Sequence, residues 1–175
     1  MIFKFRITLD VLDDVFRDIA IRNTDTLEDL HFSVVQSFGL DGQEMASFYV
    51  SDNEWNQGEE IALEDFSDDH TPKRLMASTV LKDVLSEKQT KLIYVYDFLN
   101  MWTFYVELAD ISEPDSSRSY PDLLFAQGQL PENPPEKRFE SEMFDQFGSE
   151  FSEELENDDF DFDNLDDYDF DENWN

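Results

Sequence analysis

The sequence predicts an α+β domain, with a mostly antiparallel sheet packed on one main helix, followed by an acidic tail. Three stretches carry the prediction. Residues 91–108, KLIYVYDFLNMWTFYVEL, are the densest β-branched and aromatic run in the chain and divide at Leu99 and Asn100, as a central hairpin would. Residues 2–9 and 15–22 alternate apolar and polar positions on either side of a loop at 10–14, which reads as an N-terminal hairpin. Residues 26–38 carry the cap, stripe and stop of an amphipathic helix.

In the N-terminal hairpin, alternation turns Phe3, Phe5, Ile7, Leu9, Ile19 and Ile21 inward. For the helix, Thr26 is placed as N-cap with Asp29 three residues on, acids fill the first turn, and Gly39 sits where a left-handed glycine ends a helix. Its stripe is Leu27, Leu30, Val34, Val35 and Phe38, and each large apolar side chain buried there contributes about 1.5–3 kcal/mol. Short middle strands are expected at 47–51 and 60–63, around a turn-rich 52–58. A polar loop at 65–73 is interrupted by Phe66. Thr79 then offers an N-cap for a short helix near 80–85 that buries Val80, Leu81, Val84 and Leu85.

If the central hairpin closes with a two-residue loop, Phe98 lies opposite Met101, Asp97 opposite Trp102, Val95 opposite Phe104 and Ile93 opposite Val106. Ile93, Val95, Trp102, Phe104, Val106 and Leu108 then share the core face, and Tyr94, Tyr96, Phe98 and Tyr105 the other. Leu99-Asn100 lacks the positive-φ preference of such a turn, which leaves a longer turn open. Past Ile111 the chain reads as loop, and Pro131, Pro134 and Pro135 bar a helix. Residues 1–138 are thus one α+β domain. Residues 139–175 form a tail, largely disordered or marginally helical over 139–155 through Phe144, Phe147, Phe151 and Leu155.

Charge narrows the function. The 175 residues hold 43 acids and 12 bases, a net of −31, and 139–175 contains 16 acids with no Lys or Arg. The 27 remaining acids and all 12 bases precede it, leaving −15 on residues 1–138. Such a field repels phosphate backbones and anionic membranes, so direct nucleic-acid binding is not expected, while a basic protein partner is attracted in a salt-dependent way. The absence of cysteine rules out disulfides, thiolate metal sites and cysteine nucleophiles. MIFKFRITLD is not a signal peptide, and no apolar run approaches the roughly 20 residues of a membrane span. A soluble, cytoplasmic protein is expected.

Several motifs, in order and with compatible spacing over residues 2–135, resemble the plasmid-encoded pRi open-reading-frame-three-like family. TLEDLHFSVVQSFGLD at 26–41 resembles its helix segment. VFRDIAI at 15–21 is similar to its Trp-Arg-Arg-Ile strand, with Phe16 in place of the tryptophan. YVYDFLNMW at 94–102 resembles its Tyr-Asp-Phe-Gly-Asp-x-Trp hairpin through Tyr96, Asp97, Phe98 and Trp102, and YPDLLFAQGQLP at 120–131 keeps a trace of a Tyr-Pro segment. The resemblance implies a compact α+β domain. It carries little function, because the family's role is poorly defined and some members bear insertion-element passenger or resolvase-like names. Family members usually carry a His-x-His after the helix and a His two residues past the hairpin tryptophan. Glu44, Ala46 and Phe104 stand there in this chain, which is therefore a divergent member lacking those histidines.

Three residues, His31, Asp97 and Trp102, are candidates for a site in the domain. His31 could be a base or ligand, although a histidine bonded to the sheet or a neighbouring loop is the commoner state. Asp97, placed beside Trp102 on the core side, either bonds backbone amides at the hairpin end or serves a site with a raised pKa. His70 reads as solvated, and two histidines so far apart are no metal signature. Neither a nucleophile elbow nor a glycine-rich phosphate loop occurs, and with 43 acids paired carboxylates arise by chance. In the tail, Asp159, Asp161 and Asp163 fit the first positions of a calcium loop, but Asn164 and Phe170 replace its glycine and bidentate glutamate. Neither a cofactor nor a metal is expected. The tail's candidate contacts are Phe160, Asp161, Phe162, Asp163, Asp166, Asp167, Tyr168, Phe170 and Trp174, aromatics spaced through acids that could anchor a steered partner.

The reading is a non-catalytic acidic interaction or regulatory protein that binds a basic protein partner. Alternatives are a nucleic-acid mimic, a mobile-element-associated protein of unknown activity, and a tail that folds back on Lys4, Arg6, Arg17 and Arg22. A resolvase-type enzyme would need an activated Ser or Tyr and a basic DNA-binding surface, and the sequence offers neither.

Overall fold

The computed structural model describes residues 1–135 apart from Ser67, Asp69 and His70. His70, the tail at 139–175 and all nine candidate tail contacts lie outside the described residues.

Eight strands form one sheet: β1 (Ile2–Leu9), β2 (Phe16–Arg22), β3 (Ala46–Ser51), β4 (Gln57–Ala62), β5 (Arg74–Leu75), β6 (Lys91–Tyr96), β7 (Trp102–Ser112) and β8 (Asp122–Gln127). Their order is β5-β4-β3-β6-β7-β1-β2-β8. Every pairing is antiparallel except β4–β5. The expected α+β class with a mostly antiparallel sheet is the observed one. Helix α1 (Leu27–Phe38) covers one face, and a single-turn helix, α2 (Leu81–Val84), follows a 3-10 turn at Met76–Ser78.

Helix α1 begins where its sequence dictates. The Asp29 amide donates to Thr26 Oγ1 at 3.2 Å, and the Thr26 amide donates to Asp29 Oδ2 at 2.8 Å, so a reciprocal pair satisfies two otherwise orphaned donors. Gly39, at φ 72°, closes the other end, and its N–H bonds Val35 O. Leu27, Leu30, His31, Val34 and Phe38 are buried, with Val35 only half so. The start of the helix is held from outside as well. The Leu27 amide donates to Thr79 O at 2.9 Å, and the Leu81 amide to Asp25 O at 2.9 Å.

The core lies between α1 and the sheet. Phe3, Phe5, Ile7 and Leu9 of β1 and Ile19 and Ile21 of β2 line it as alternation predicts. At the centre, however, the register differs by one residue from the expected pairing. Tyr96 faces Trp102, Tyr94 faces Phe104 and Leu92 faces Val106, across a five-residue connection at 97–101. The two-residue loop does not form because Leu99 and Asn100 lack the glycine that a tight primed turn requires. Since strand side chains alternate, one residue of slip exchanges the faces of a whole strand. Leu92, Tyr94 and Tyr96 therefore join Trp102, Phe104, Val106 and Leu108 in the core, while Ile93 and Val95 are buried on the far side of the sheet.

Three further expectations change. The N-cap of α2 is Val80, and the Thr79 hydroxyl instead donates to Leu75 O at 2.7 Å. Part of the stretch read as loop after Ile111 is the edge strand β8, drawn out of the loop by pairing with β2. Residues 74–75 add the short parallel strand β5. Both are stabilised by neighbours distant in sequence rather than by their own propensity.

Arg17 ties the elements together. It faces the core opposite Ile7, yet it is a charged side chain. Its guanidinium donates to Ser37 O at the end of α1, to Phe16 O and to Gln127 O of β8, each at 2.8 Å, and stacks 4.6 Å from the Phe38 ring centroid. A cation here complements the helix C-terminus. Two substitutions test this account by chemical denaturation. Thr26→Ala removes the cap and should cost about 1 kcal/mol. Phe104→Ala leaves a void between Phe38 and Tyr94 and should cost about 3–5 kcal/mol.

Candidate functional site

His31 occupies α1 one turn beyond Leu27, on the stripe that meets β6. It is 1% exposed, and its Nδ1 lies 2.8 Å from the hydroxyl of Tyr94. Burial lowers its pKa from 6.5 to about 4, so the ring is neutral at pH 7. Burial likewise pushes the Tyr94 phenol well above its ordinary value. Two neutral groups thus share one hydrogen bond inside an aromatic cluster of Phe48, Tyr94 and Phe104, with ring centroids 4.7 and 5.6 Å from Tyr94. A buried polar pair of this kind is satisfied by its own hydrogen bond.

Asp97 leaves β6 at φ 59° and closes the connection to β7. Its Oδ1 accepts from the Leu99 and Asn100 amides at 3.1 and 3.3 Å, and its Oδ2 from the Asn100 side-chain amide at 2.5 Å. Its own amide donates to Met45 O at 2.8 Å. It therefore points into the turn rather than beside Trp102, which pairs with Tyr96 in the core. No hydrogen bond or ring contact among the described residues joins His31, Asp97 and Trp102 to one another. Ala46 and Phe104, two of the positions at which the family resemblance leads one to look for histidine, lie in the apolar core.

What the inward register of Tyr96 builds is a cavity. Its hydroxyl donates to the Asp41 carboxylate and accepts from the Gly42 amide at 2.8 Å and the Glu44 amide at 3.4 Å. The loop between α1 and β3 wraps around that one oxygen. Burial and the Asp41 carboxylate raise the Tyr96 pKa, while bonds from the Gln43 amide and Tyr96 lower that of Asp41. The wrapped loop forms one wall of a cavity of about 340 Å³ where β3 begins and β4 ends. Met45, Ala62, Leu63, Phe66 and Phe98 supply its apolar lining, and Ser47, Glu44, Glu60, Glu64 and Lys73 its polar groups. Glu60 Oε1 is held by the hydroxyls of Ser47 at 2.8 Å and Tyr49 at 3.4 Å. Sequence reading did not assemble this set, because its residues come from four segments joined only by strand pairing. Its one legible signal was an exposed aromatic set in polar surroundings, Phe66 in its loop and Phe98 at the turn.

The domain's cations are largely engaged within it. Lys4 pairs with Asp110, Arg6 with Asp18, Arg74 with Glu59, and Arg118 with Asp115 and Asp122. Arg17 is buried, while Arg22 and Lys91 lie over the rings of Tyr120 and Trp55. The four cations considered as a seat for the tail, Lys4, Arg6, Arg17 and Arg22, all have such partners. Among the described residues no group of His, Asp and Glu gathers into a metal-binding set, and no helix is long and apolar enough to cross a membrane.

Two measurements probe these residues. Because the folded His31 pKa is depressed, the unfolded chain takes up its proton first, and stability should fall with acidification between about pH 6.5 and 4. Between pH 7.5 and 5 the loss due to His31 should be about 2 kcal/mol, and it should appear as the difference between the pH curves of the parent and of His31→Gln. Asp97→Ala strips the turn of its acceptors. It should destabilise the protein by about 1–3 kcal/mol and speed amide exchange at Leu99 and Asn100.

Comparison with known proteins adds family and fold. No protein of curated function matches the chain. The crystal structure of a protein of unknown function from Methanosarcina mazei Go1 is similar, with a TM-score of 0.66 and 17% sequence identity. The match covers 92% of this chain and 84% of that one, and at this identity it shows a shared fold. The family described as plasmid pRiA4b ORF-3-like protein matches residues 1–174, and the chain belongs to that family.

Proposed function

We propose that this protein is a non-catalytic interaction protein that captures a basic protein partner. The observation carrying the proposal is the distribution of charge. Residues 139–175 hold 16 acids and no base, and in the domain seven cations are already engaged by carboxylates, carbonyls or rings. The charges left to act on a partner are overwhelmingly carboxylates. A field of that sign accelerates encounter with a cationic surface and repels polyanions. Aromatic side chains interleaved with the tail acids, Phe160, Phe162, Tyr168, Phe170 and Trp174, supply apolar anchors once the partner has been drawn in.

Charge and anchor leave different signatures, and affinity capture reads both. Asp→Asn substitution at 161, 163, 166 and 167 in the full-length protein should release basic partners. It should also flatten the fall in affinity between about 50 and 300 mM salt. Phe162→Ser with Trp174→Ser should weaken the same complexes about tenfold while leaving their salt dependence unchanged. Equal recovery of every partner by all three proteins would refute the proposal.

A further inference from the structure

We propose that the cavity at the start of β3 receives an arginine side chain of the basic partner, an inference that rests on the preceding reading and gives it a site. The cavity, about 340 Å³, lies at the small end of ligand pockets, which run from roughly 300 to 1,000 Å³. That suits one long side chain better than a cofactor.

Its lining matches the two halves of a guanidinium group. Phe66 and Phe98, both exposed, line it together with Glu44, Glu60 and Glu64, against the single ammonium of Lys73. The protein already uses this combination internally. Arg6 donates from Nε and Nη2 to the two oxygens of Asp18 at 2.8 Å each, while its Cζ stacks 4.4 Å from the Phe16 ring centroid. In the cavity the acceptors and rings stand ready, and the arginine would come from outside.

Glu60 is positioned for the role. The hydroxyls of Ser47 and Tyr49 both bond its Oε1, which anchors that oxygen. An ionised carboxylate has about four acceptor sites, so Oε2 remains for a charge-assisted bond from a guanidinium. Among the described residues the three glutamates do not form a metal-binding group. The charge balance repels an anion. Arginine is preferred over lysine because its plane stacks on a ring while its edge reaches a carboxylate.

The test is a titration of isotope-labelled full-length protein with N-acetyl-arginine amide, followed by amide chemical shifts, with N-acetyl-norleucine amide as the uncharged control. The arginine probe should give saturating shifts at Glu44, Ser47, Glu60 and Phe98, and the norleucine probe should not. Glu64→Gln and Phe98→Ala leave the Ser47–Glu60 bond intact. Each should weaken binding about threefold, and Lys73→Gln should tighten it. Shifts confined to residues 136–175, or variants that bind the probe as the parent does, would overturn the assignment. If these variants also captured a basic partner at undiminished affinity, the cavity inference alone would fall and the reading of the protein as a basic-partner binder would stand.

Discussion

The Asp97 carboxylate closes a turn, and the arrangement of half the sheet depends on it. By accepting from Leu99 and Asn100 it stabilises a five-residue connection between β6 and β7. Asp tolerates the left-handed backbone it adopts there, whereas Met101, at φ 55°, incurs a cost of about 1–2 kcal/mol in the same turn. The number of residues in that turn sets the parity of β6, and parity turns Tyr94 and Tyr96 toward α1. Tyr94 then meets His31 and holds the helix in place. Tyr96 organises the loop that leads into β3. Phenolic oxygens at two depths thus translate a local turn into the position of a helix and the wall of a cavity.

Buried polar groups follow the same economy. Burial keeps His31 neutral, and the equally neutral Tyr94 hydroxyl satisfies its ring nitrogen without bringing a charge into the core. Arg17 cannot be neutralised, so it sits at the edge of the core where carbonyls at the end of α1 and on β2 and β8 converge on it. One cation therefore fastens the helix end and an edge strand. The outer face of the sheet uses a looser chemistry of ion pairs and cation–ring stacks, such as Arg6 on Asp18 and Phe16, and Lys91 over Trp55.

Those engagements leave the net charge unevenly exposed. An acidic protein whose bases were free would present a mottled surface. Here the bases are largely committed, and the carboxylates set the sign that an approaching molecule meets. The cavity beside Phe98 gathers Glu44, Glu60 and Glu64 with Phe66 and Phe98 in one concave place. The same turn that fixes the register carries Phe98 to this wall.

The sequence by itself determined the α+β class, the N-terminal hairpin with its inward residues, and α1 from Thr26 to Gly39, because each rests on interactions a few residues apart: alternation, a reciprocal cap, a glycine at positive φ. It also determined the charge asymmetry and, through the Tyr-Asp-Phe and Trp of the central hairpin, the family. The final register at 97–101, strands β5 and β8, the burial of His31 and the cavity were decided by tertiary structure. In the first case the alternatives differ by one residue in a turn that is also held by Met45, 52 residues before Asp97. The others arise where residues from separate segments meet, and a pattern read along the chain records no distance across it.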